Sequence, residues 1–540
     1  MQSVFDSGPF APCPAPFNLA DHVLYQRAAA RPAAADAVAL CVLAPQSPSS
    51  AATSDLPQEP SPQIYSYGAL RAAVRGLGAG LLAEGLSPGD RVLLRLGNTP
   101  IFPIAYLAAI AVGLVPVPTS AQLTEPEVAR IMDDLSPAAI LRDPGIASVP
   151  HPCEIDRDSL EAMQRAAPPE NQFHMQLGDP NRPAYVVYTS GTGGNPRAVV
   201  HAHRAIWARQ MMIRHWYDLR PTDRLLHAGA FNWTFTLGTG LMDPWSLGAT
   251  ALIPEDGTSI TALPDLLRQH DASLFAAAPG VYRKLLQKDR TLQLPALRHG
   301  LCAGEKLSSQ VAQDWRAATG TALYEAFGMS ECSTFISADP ARHRDPEQAG
   351  DTLGWPQPGR RIAILDPTGR PSPRNSPGVI AIDRRDPGLM LGYHNAPDAT
   401  QDRYQGEWFL TGDLGEMTDT GQIRYLGRND DMMNAGGYRV SPLEVEAALT
   451  SHPDLEQVAV ASVEVKPDTR IIVAFYTSAK DVTAEALSAF AKDRLARYKQ
   501  PRAYLRLDAL PSGANGKLLR RALPDCYIRY KGPRHEPCEA

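Results

Sequence analysis

Cysteine is scarce in this 540-residue chain and poorly placed for cross-linking. The seven cysteines fall at 13, 41, 153, 302, 332, 526 and 538, an odd number with no CxxC pair. Neither a disulfide framework nor a structural zinc site follows from that spacing. A surplus of positive charge is also missing, since 52 Lys and Arg stand against 58 Asp and Glu, a net −6. A nucleic-acid or membrane-surface partner therefore has no electrostatic support. The opening residues MQSVFDSGPFAPCPAP have no basic start and no sustained apolar stretch. No secretory signal is expected, and a reduced, cytoplasmic compartment is the default. The one long uncharged stretch, 100–118, is broken by Pro100, Pro103, Pro116 and Pro118. Its continuous part, 104–115, spans only about 18 Å as a helix. A hydrocarbon core needs about 30 Å, so a buried helix is expected and a membrane span is not.

What is present reads as a globular protein of more than one domain. Hydrophobic residues make up 44% and charged residues 20%, which excludes a wholly disordered chain. At about 150 residues per domain, the length suits two or three domains. Apolar residues have helical spacing at 17–31 and 69–84, with strand-like runs at 37–43 and 90–94. The intervening segment 44–62, APQSPSSAATSDLPQEPSP, has almost nothing to bury and reads as a flexible insertion. Helices alternate with short apolar runs to about residue 300, which predicts α/β layering. Beyond 350, short strands at 361–365, 378–382 and 421–425 lie between Gly, Pro and Asp turns, a β-rich texture. The final stretch predicts helix at 442–449, strands at 457–463 and 471–476, and helix at 484–495, a small α+β unit.

The strongest local signal is the apolar run AYVVY at 184–188 leading into TSGTGGNPR at 189–197. Glycines allow a phosphate close to the backbone, N–H groups can form an anion nest, and hydroxyls donate as well. The same composition also suits a surface turn. The ATPase signature GxxxxGK[ST] is absent. Four further segments follow in order: EAFGMSE at 325–331, FLTGD at 409–413, GRNDDMMNAGGYR at 427–439 and PSGANGKLLRR at 511–521. With these five motifs the chain resembles the adenylate-forming superfamily of acyl-CoA synthetases, adenylation domains and luciferases, from about residue 17 to 525. Benzoate-type and medium-chain acyl-CoA ligases are the nearest resemblance.

The resemblance implies an α/β fold: a large N-terminal domain of layered α/β subdomains with a β-rich subdomain, at 1–427. A small mobile C-terminal α+β domain, 428–540, would turn on a hinge near Asp430. It also implies two half-reactions. A carboxylate attacks the α-phosphorus of ATP with Mg²⁺, releasing pyrophosphate, and a thiol, usually of CoA, then displaces AMP. Thr189, Ser190, Gly191, Thr192 and Gly193 would cradle the pyrophosphate, with Arg197 at the end of that loop. Glu331, with Thr192, would hold Mg²⁺, and Ser330 would contact the α-phosphate and the acyl carboxylate. Gly304, Glu305, Glu325, Ala326 and Phe327 would form the adenine slot. Asp413 would bind the ribose hydroxyls with Arg428 nearby, although an Asp beside Gly is also a common turn former. Lys517 would reach the transferring oxygens during adenylation. Gly436, Gly437 and Arg439 would line the pantetheine tunnel.

The phosphate loop departs from the family pattern at Gly193, Arg197 and Ala198, where Thr, Lys and Gly are usual. Arg keeps the charge but changes the donor geometry. Phe327 and Ser330 replace the commoner Tyr and Thr. The acyl pocket would be lined by Phe231, Asn232, Trp233, Thr234, Leu301, Ala303 and Ala326. These residues offer no carboxylate to pair an amino group, and a buried unpaired ammonium is costly. An aryl or short-to-medium aliphatic acid therefore fits better than an α-amino acid. A stand-alone aryl-acid adenylation enzyme loading a carrier protein is the alternative to a CoA ligase.

Overall fold

The computed structural model describes residues 1–26, 33–43, 63–189, 196–288, 291–342, 352–429, 431, 433–435, 438–466, 469–513 and 517–531. At 434, 435, 438, 439, 466, 469 and 531 it describes the backbone alone. The expected insertion 44–62 lies outside the described residues. The chain separates into two compact units. One comprises Phe5–Arg361 and Ile382–Phe409, the other Met1–Val4, Ile362–Ala381 and Leu410–Ala540.

The larger unit is layered α/β, as expected. In its nine-stranded sheet the six inner strands run parallel, in the order Ala322–Met329, His299–Ala303, Leu274–Ala277, Arg224–His227, Thr250–Pro254 and Val38–Leu43. Antiparallel strands Ser333–Ser337 and Gln63–Ser66 flank them. A second, all-parallel sheet orders Val115–Pro118, Arg91–Arg95, Ala139–Arg142 and Glu154–Asp156. A third, antiparallel, sheet is made of Pro183–Thr189, Arg197–Ala202 and Gly392–Tyr393. The inner strands are nearly continuous apolar runs because helices cover both faces of a parallel sheet.

The uncharged stretch forms the helix Ile101–Ala111, buried along its whole length. Pro100 opens it, and the proline-spaced strand Val115–Pro118 follows it. Among the described residues no helix is long and apolar enough to cross a membrane. The helix expected at 69–84 runs Tyr67–Ala83, and Ser66 Oγ accepts the Ala69 N–H at 3.1 Å. Helical spacing at 17–31 yields only Leu19–Leu24. The buried Asn18 side chain caps that helix through Ala20 N–H (2.8 Å) and ties it to Ile110 O (2.9 Å).

The smaller unit holds a three-stranded sheet, Gln457–Lys466, Thr469–Thr477 and Ala503–Arg506, with helices Pro442–Thr450, Ala484–Lys492 and Leu523–Lys531. Glu446 is buried there, accepting the Val460 N–H at 2.6 Å while Arg520 donates to both of its carboxylate oxygens. The strand expected at 421–425 runs Ile423–Arg428, because Thr418 to Gly421 close a turn (Gly421 N to Thr418 O, 2.9 Å).

Candidate active site

The Gly-rich loop connects two antiparallel strands. Thr189 ends Pro183–Thr189 and pairs with Arg197, the first residue of Arg197–Ala202. Ser190, Gly191, Thr192 and Gly193 lie outside the described residues. The third strand of this sheet seats Tyr393 opposite Val199. Arg197, two residues earlier on the same face, lies 5.1 Å from the centre of the Tyr393 ring. The Tyr393 hydroxyl donates to Glu331 Oε1 at 2.6 Å. Burial and the neighbouring Glu331 carboxylate push the Tyr393 phenol above its ordinary pKa, so it remains a donor.

The Ser330-Glu331 segment is held from two sides. His201 Nε2 donates to Ser330 O at 2.7 Å, and Met390 N–H donates to Glu331 O at 2.8 Å. Just before it, Gly328 sits at a bulge in the pairing of Ala322–Met329 with Ser333–Ser337. A Cβ at Gly328 would lie 2.1 Å from Ser333 O, so only glycine allows this approach. Among the residues expected to form an adenine slot, Glu325 is buried, and its carboxylate accepts Leu307 N–H (2.8 Å) and Lys306 Nζ (3.1 Å). That carboxylate therefore shapes the loop containing Gly304 (φ +96°) and Glu305. Phe327 packs edge-on against Phe335 at 5.5 Å.

In the smaller unit, Asp413 lies within the strand Trp408–Met417 and not in a turn, directly opposite Arg428. The Tyr425 hydroxyl donates to Asp413 Oδ1 at 3.0 Å, and Arg428 Nη1 stands 3.4 Å from Oδ2. Lys517 is exposed at the base of a loop closed by Gly513 N–H to Lys517 O (2.8 Å) and Leu519 N–H to Pro511 O (2.8 Å). Asp430, Gly436 and Gly437 lie outside the described residues. Arg439 pairs with Asn434 through the backbone of Tyr438–Val440.

The acyl-pocket expectations divide. Phe231 is fully buried and stacks on Phe102 (5.6 Å, 25°), making it core. Leu301, Ala303 and Ala326 join a second core cluster with Trp216 and Phe235, and Trp233 packs against it. Asn232 is half-buried. Of the expected lining, Thr234 borders the cavity that opens at Ser330. The other walls are Tyr106, Tyr185, His201, Arg209, Leu237, Gly238, Met242 and Ser333. Arg209 is buried there in a two-pronged pair with Asp243, Nε to Oδ1 at 2.9 Å and Nη2 to Oδ2 at 2.6 Å. A signal for this was available: Asp243 is the only Asp, Glu, Lys or Arg between Arg224 and Glu255.

The AMP-binding enzyme family matches residues 42–394, and the AMP-binding enzyme C-terminal domain matches 444–517. The chain belongs to the AMP-binding enzymes. The benzoate–CoA ligase of Thauera aromatica is 30% identical over 488 residues, 84% of this chain and 90% of that one. The human mitochondrial acyl-coenzyme A synthetase ACSM3 is 28% identical over 483 residues, covering 82% and 80%. The solved benzoate CoA ligase from Burkholderia xenovorans superposes with TM-score 0.79 at 25% identity, over 94% of this chain and 100% of that one. MatB from Rhodopseudomonas palustris, at 23% identity and TM-score 0.83, shares the fold over 95% and 99%. Within the AMP-binding enzymes this chain is an acid–thiol ligase. Its first family match spans the Gly-rich loop, Glu331 and Tyr393, and its second ends on Lys517.

This AMP-binding enzyme also buries four histidines in the neutral form. Burial pulls His201 down to about 4, against its bond to Ser330 O, and pulls His203 and His227 down to about 3. His299 falls to about 4 for the same reason. Nδ1 of His203 accepts Leu19 N–H (3.0 Å) and Nδ1 of His227 accepts Gly229 N–H (2.9 Å), so protonation there breaks a bond. The folded-state values lie below the unfolded one, so the unfolded chain takes up protons first as pH falls. Stability is full above about pH 6.5 and declines toward pH 4, by about 2 kcal/mol per ring at pH 5. Burial raises the Glu446 carboxyl and opposes this, but as a single group. The urea midpoint is expected to drop clearly between pH 7 and pH 5. An unchanged midpoint would show that these rings take protons in the native state.

Proposed function

We propose that this acid–thiol ligase activates an aryl or short-to-medium aliphatic carboxylic acid with MgATP and passes the acyl group to CoA. The reading is supported chiefly by the Arg197–Tyr393–Glu331 arrangement. In it Tyr393 orients the Glu331 carboxylate through a 2.6 Å hydrogen bond and carries the Arg197 cation, at the end of the Gly-rich loop, 5.1 Å from its ring centre. Adenylation brings anions together, so its barrier falls mainly through positioning and charge neutralisation.

Among the described residues, no group of three or more His, Cys, Asp or Glu could hold a metal ion. Mg²⁺ needs only one or two carboxylates and takes its other ligands from phosphates and water. Glu331 would supply the carboxylate, with the Thr192 hydroxyl, and the bound ion would neutralise phosphate charge. Ser330 would meet the carboxylate of the acid, Asp413 and Arg428 the ribose, and Lys517 the transferring oxygens. The small domain would begin at Arg428 and turn about Asp430. Gly436, Gly437 and Arg439 would then border the path of the CoA thiol.

Pyrophosphate release and thioester formation, measured over a panel of carboxylic acids with and without CoA, test the reading. One acid class is expected to release pyrophosphate and to yield thioester only when CoA is present. Release without any thioester would point to a carrier-protein acceptor. No release from any acid would overturn the reading.

A further inference from the structure

The turn that returns the chain to Glu331 is built on a buried ion pair. The Arg360 and Asp386 side chains are 0% and 1% exposed, and Arg360 Nη1 donates to Asp386 Oδ1 at 2.5 Å. The same Oδ1 accepts the Gly388 N–H at 2.7 Å, and Leu389 N–H closes the turn on Asp386 O at 3.1 Å. The next residue, Met390, donates to Glu331 O. Leu391 N–H then joins Val200 O at 2.8 Å and leads into Gly392–Tyr393, whose tyrosine hydroxyl binds Glu331 Oε1. On its other side Arg360 donates from Nη2 to Thr334 O at 3.0 Å, and Nη1 lies 3.6 Å from Cys332 Sγ. One guanidinium thus ties the segment that leaves Glu331 to the turn that comes back to it.

Neither end of this tie has slack. Gln357 N–H donates to Phe335 O and Arg360 N–H to Gln357 O, both at 3.0 Å, which fixes the backbone carrying Arg360. A Cβ at Gly388 would lie 2.8 Å from Arg360 Nη1 and 3.1 Å from Cys332 O, so the turn packs directly on the pair. Stability is a poor reason for such a pair. Burying both charges is costly, and apolar residues of similar size often serve a fold as well. This pair is also incompletely met, since no described residue bonds Arg360 Nε or Asp386 Oδ2. What it supplies is direction, because the planar guanidinium offers its donors in a fixed fork.

We propose that Arg360 and Asp386 are positioning residues for adenylation, holding the Glu331 carboxylate and the Tyr393 hydroxyl in place for the MgATP complex. This rests on the ligase reading above, in which Glu331 is the metal-binding carboxylate. Both residues are buried and act through Glu331 and Tyr393. Removing a group that orients a metal-binding carboxylate changes metal affinity or activity by about 10- to 100-fold. The pair is neutral as a whole, so removing both charges leaves the net charge near Glu331 unchanged and loosens only its placement.

The test uses two variants. Arg360→Met with Asp386→Asn removes both charges, and the Asn keeps an acceptor for the Gly388 N–H. Arg360→Lys keeps the charge but not the fork. Binding of Mn²⁺ with ATP, without any acid, is followed through the EPR signal of free Mn²⁺ and compared with ATP binding in EDTA. The double variant is expected to bind Mn²⁺–ATP about tenfold more weakly while holding metal-free ATP as the wild type does. In turnover the Mg²⁺ and ATP requirements should rise with KM for the acid unchanged, and Arg360→Lys should behave like the double variant. Native Mn²⁺–ATP affinity in the double variant would overturn the inference. So would equal losses for acid, metal-free ATP and Mn²⁺–ATP, which mark general loosening. Wild-type behaviour of Arg360→Lys would overturn the role of the fork. Failure of both variants to fold would make the pair a folding element and overturn the inference as well. A wild-type enzyme that neither binds Mn²⁺–ATP nor turns over any acid would overturn the ligase reading itself, a distinct result.

Discussion

Alanine at position 517 is expected to lower acyl-adenylate formation by about 100- to 1,000-fold, the usual loss when one preorganised charge donor is removed from a transition state. Lys517 is exposed at the base of its loop, and the loop is closed by backbone bonds that alanine retains. Surface changes of this kind alter stability by only about 0.5 kcal/mol, so the activity loss will not reflect unfolding. The second half-reaction needs no charge on those oxygens from this side chain. The Lys517→Ala enzyme should therefore still convert supplied acyl-adenylate and CoA to thioester. Lys517→Arg keeps the charge but spreads it over a planar fork, and partial recovery of adenylation is expected. The check is pyrophosphate release alongside thioester formation from synthetic adenylate. Equal loss of both would remove Lys517 from its assigned role and would weaken the picture of two alternating states.

The difference between what could be read beforehand and what could not follows sequence distance. The helix expected at 69–84, the proline-bounded buried helix expected at 104–115 and the strands of the small α+β unit are local patterns. Each appeared within a residue or a few of its expected place. The ordered motifs were legible for the same reason: each is a short run whose chemistry lies in adjacent residues. Tyr393 was not. It reaches Glu331 and Arg197 because Gly392–Tyr393 pairs with a strand nearly two hundred residues earlier. Phe231 stacks in the core on Phe102, a partner that no local pattern names. Tyr106 sits in a helix apolar on every side, where a hydroxyl is easily taken as incidental.

The buried Arg209–Asp243 pair allows stability and specificity to be separated, and here the largest structural effect is expected. A Cβ at Gly238 would lie 2.2 Å from Arg209 Cζ and Nη2 and 2.7 Å from Nη1. The guanidinium cannot slide away, because Asp243, Ser333, Tyr217 and Thr239 hold it on the other sides. Gly238→Ala should therefore force the pair apart, at a cost of about 3–5 kcal/mol for a broken buried ion pair. A large drop in the urea midpoint, or loss of soluble protein, would register this. Replacing both charges with apolar residues of similar size, Arg209→Met with Asp243→Leu, removes the desolvated charges together and should leave stability near the wild type. With Gly238→Ala added, that background should tolerate the methyl far better, because Met is flexible where the guanidinium is fixed. If Gly238→Ala alone is as stable as the wild type, the guanidinium has room to move and the pair is not the rigid wall described here.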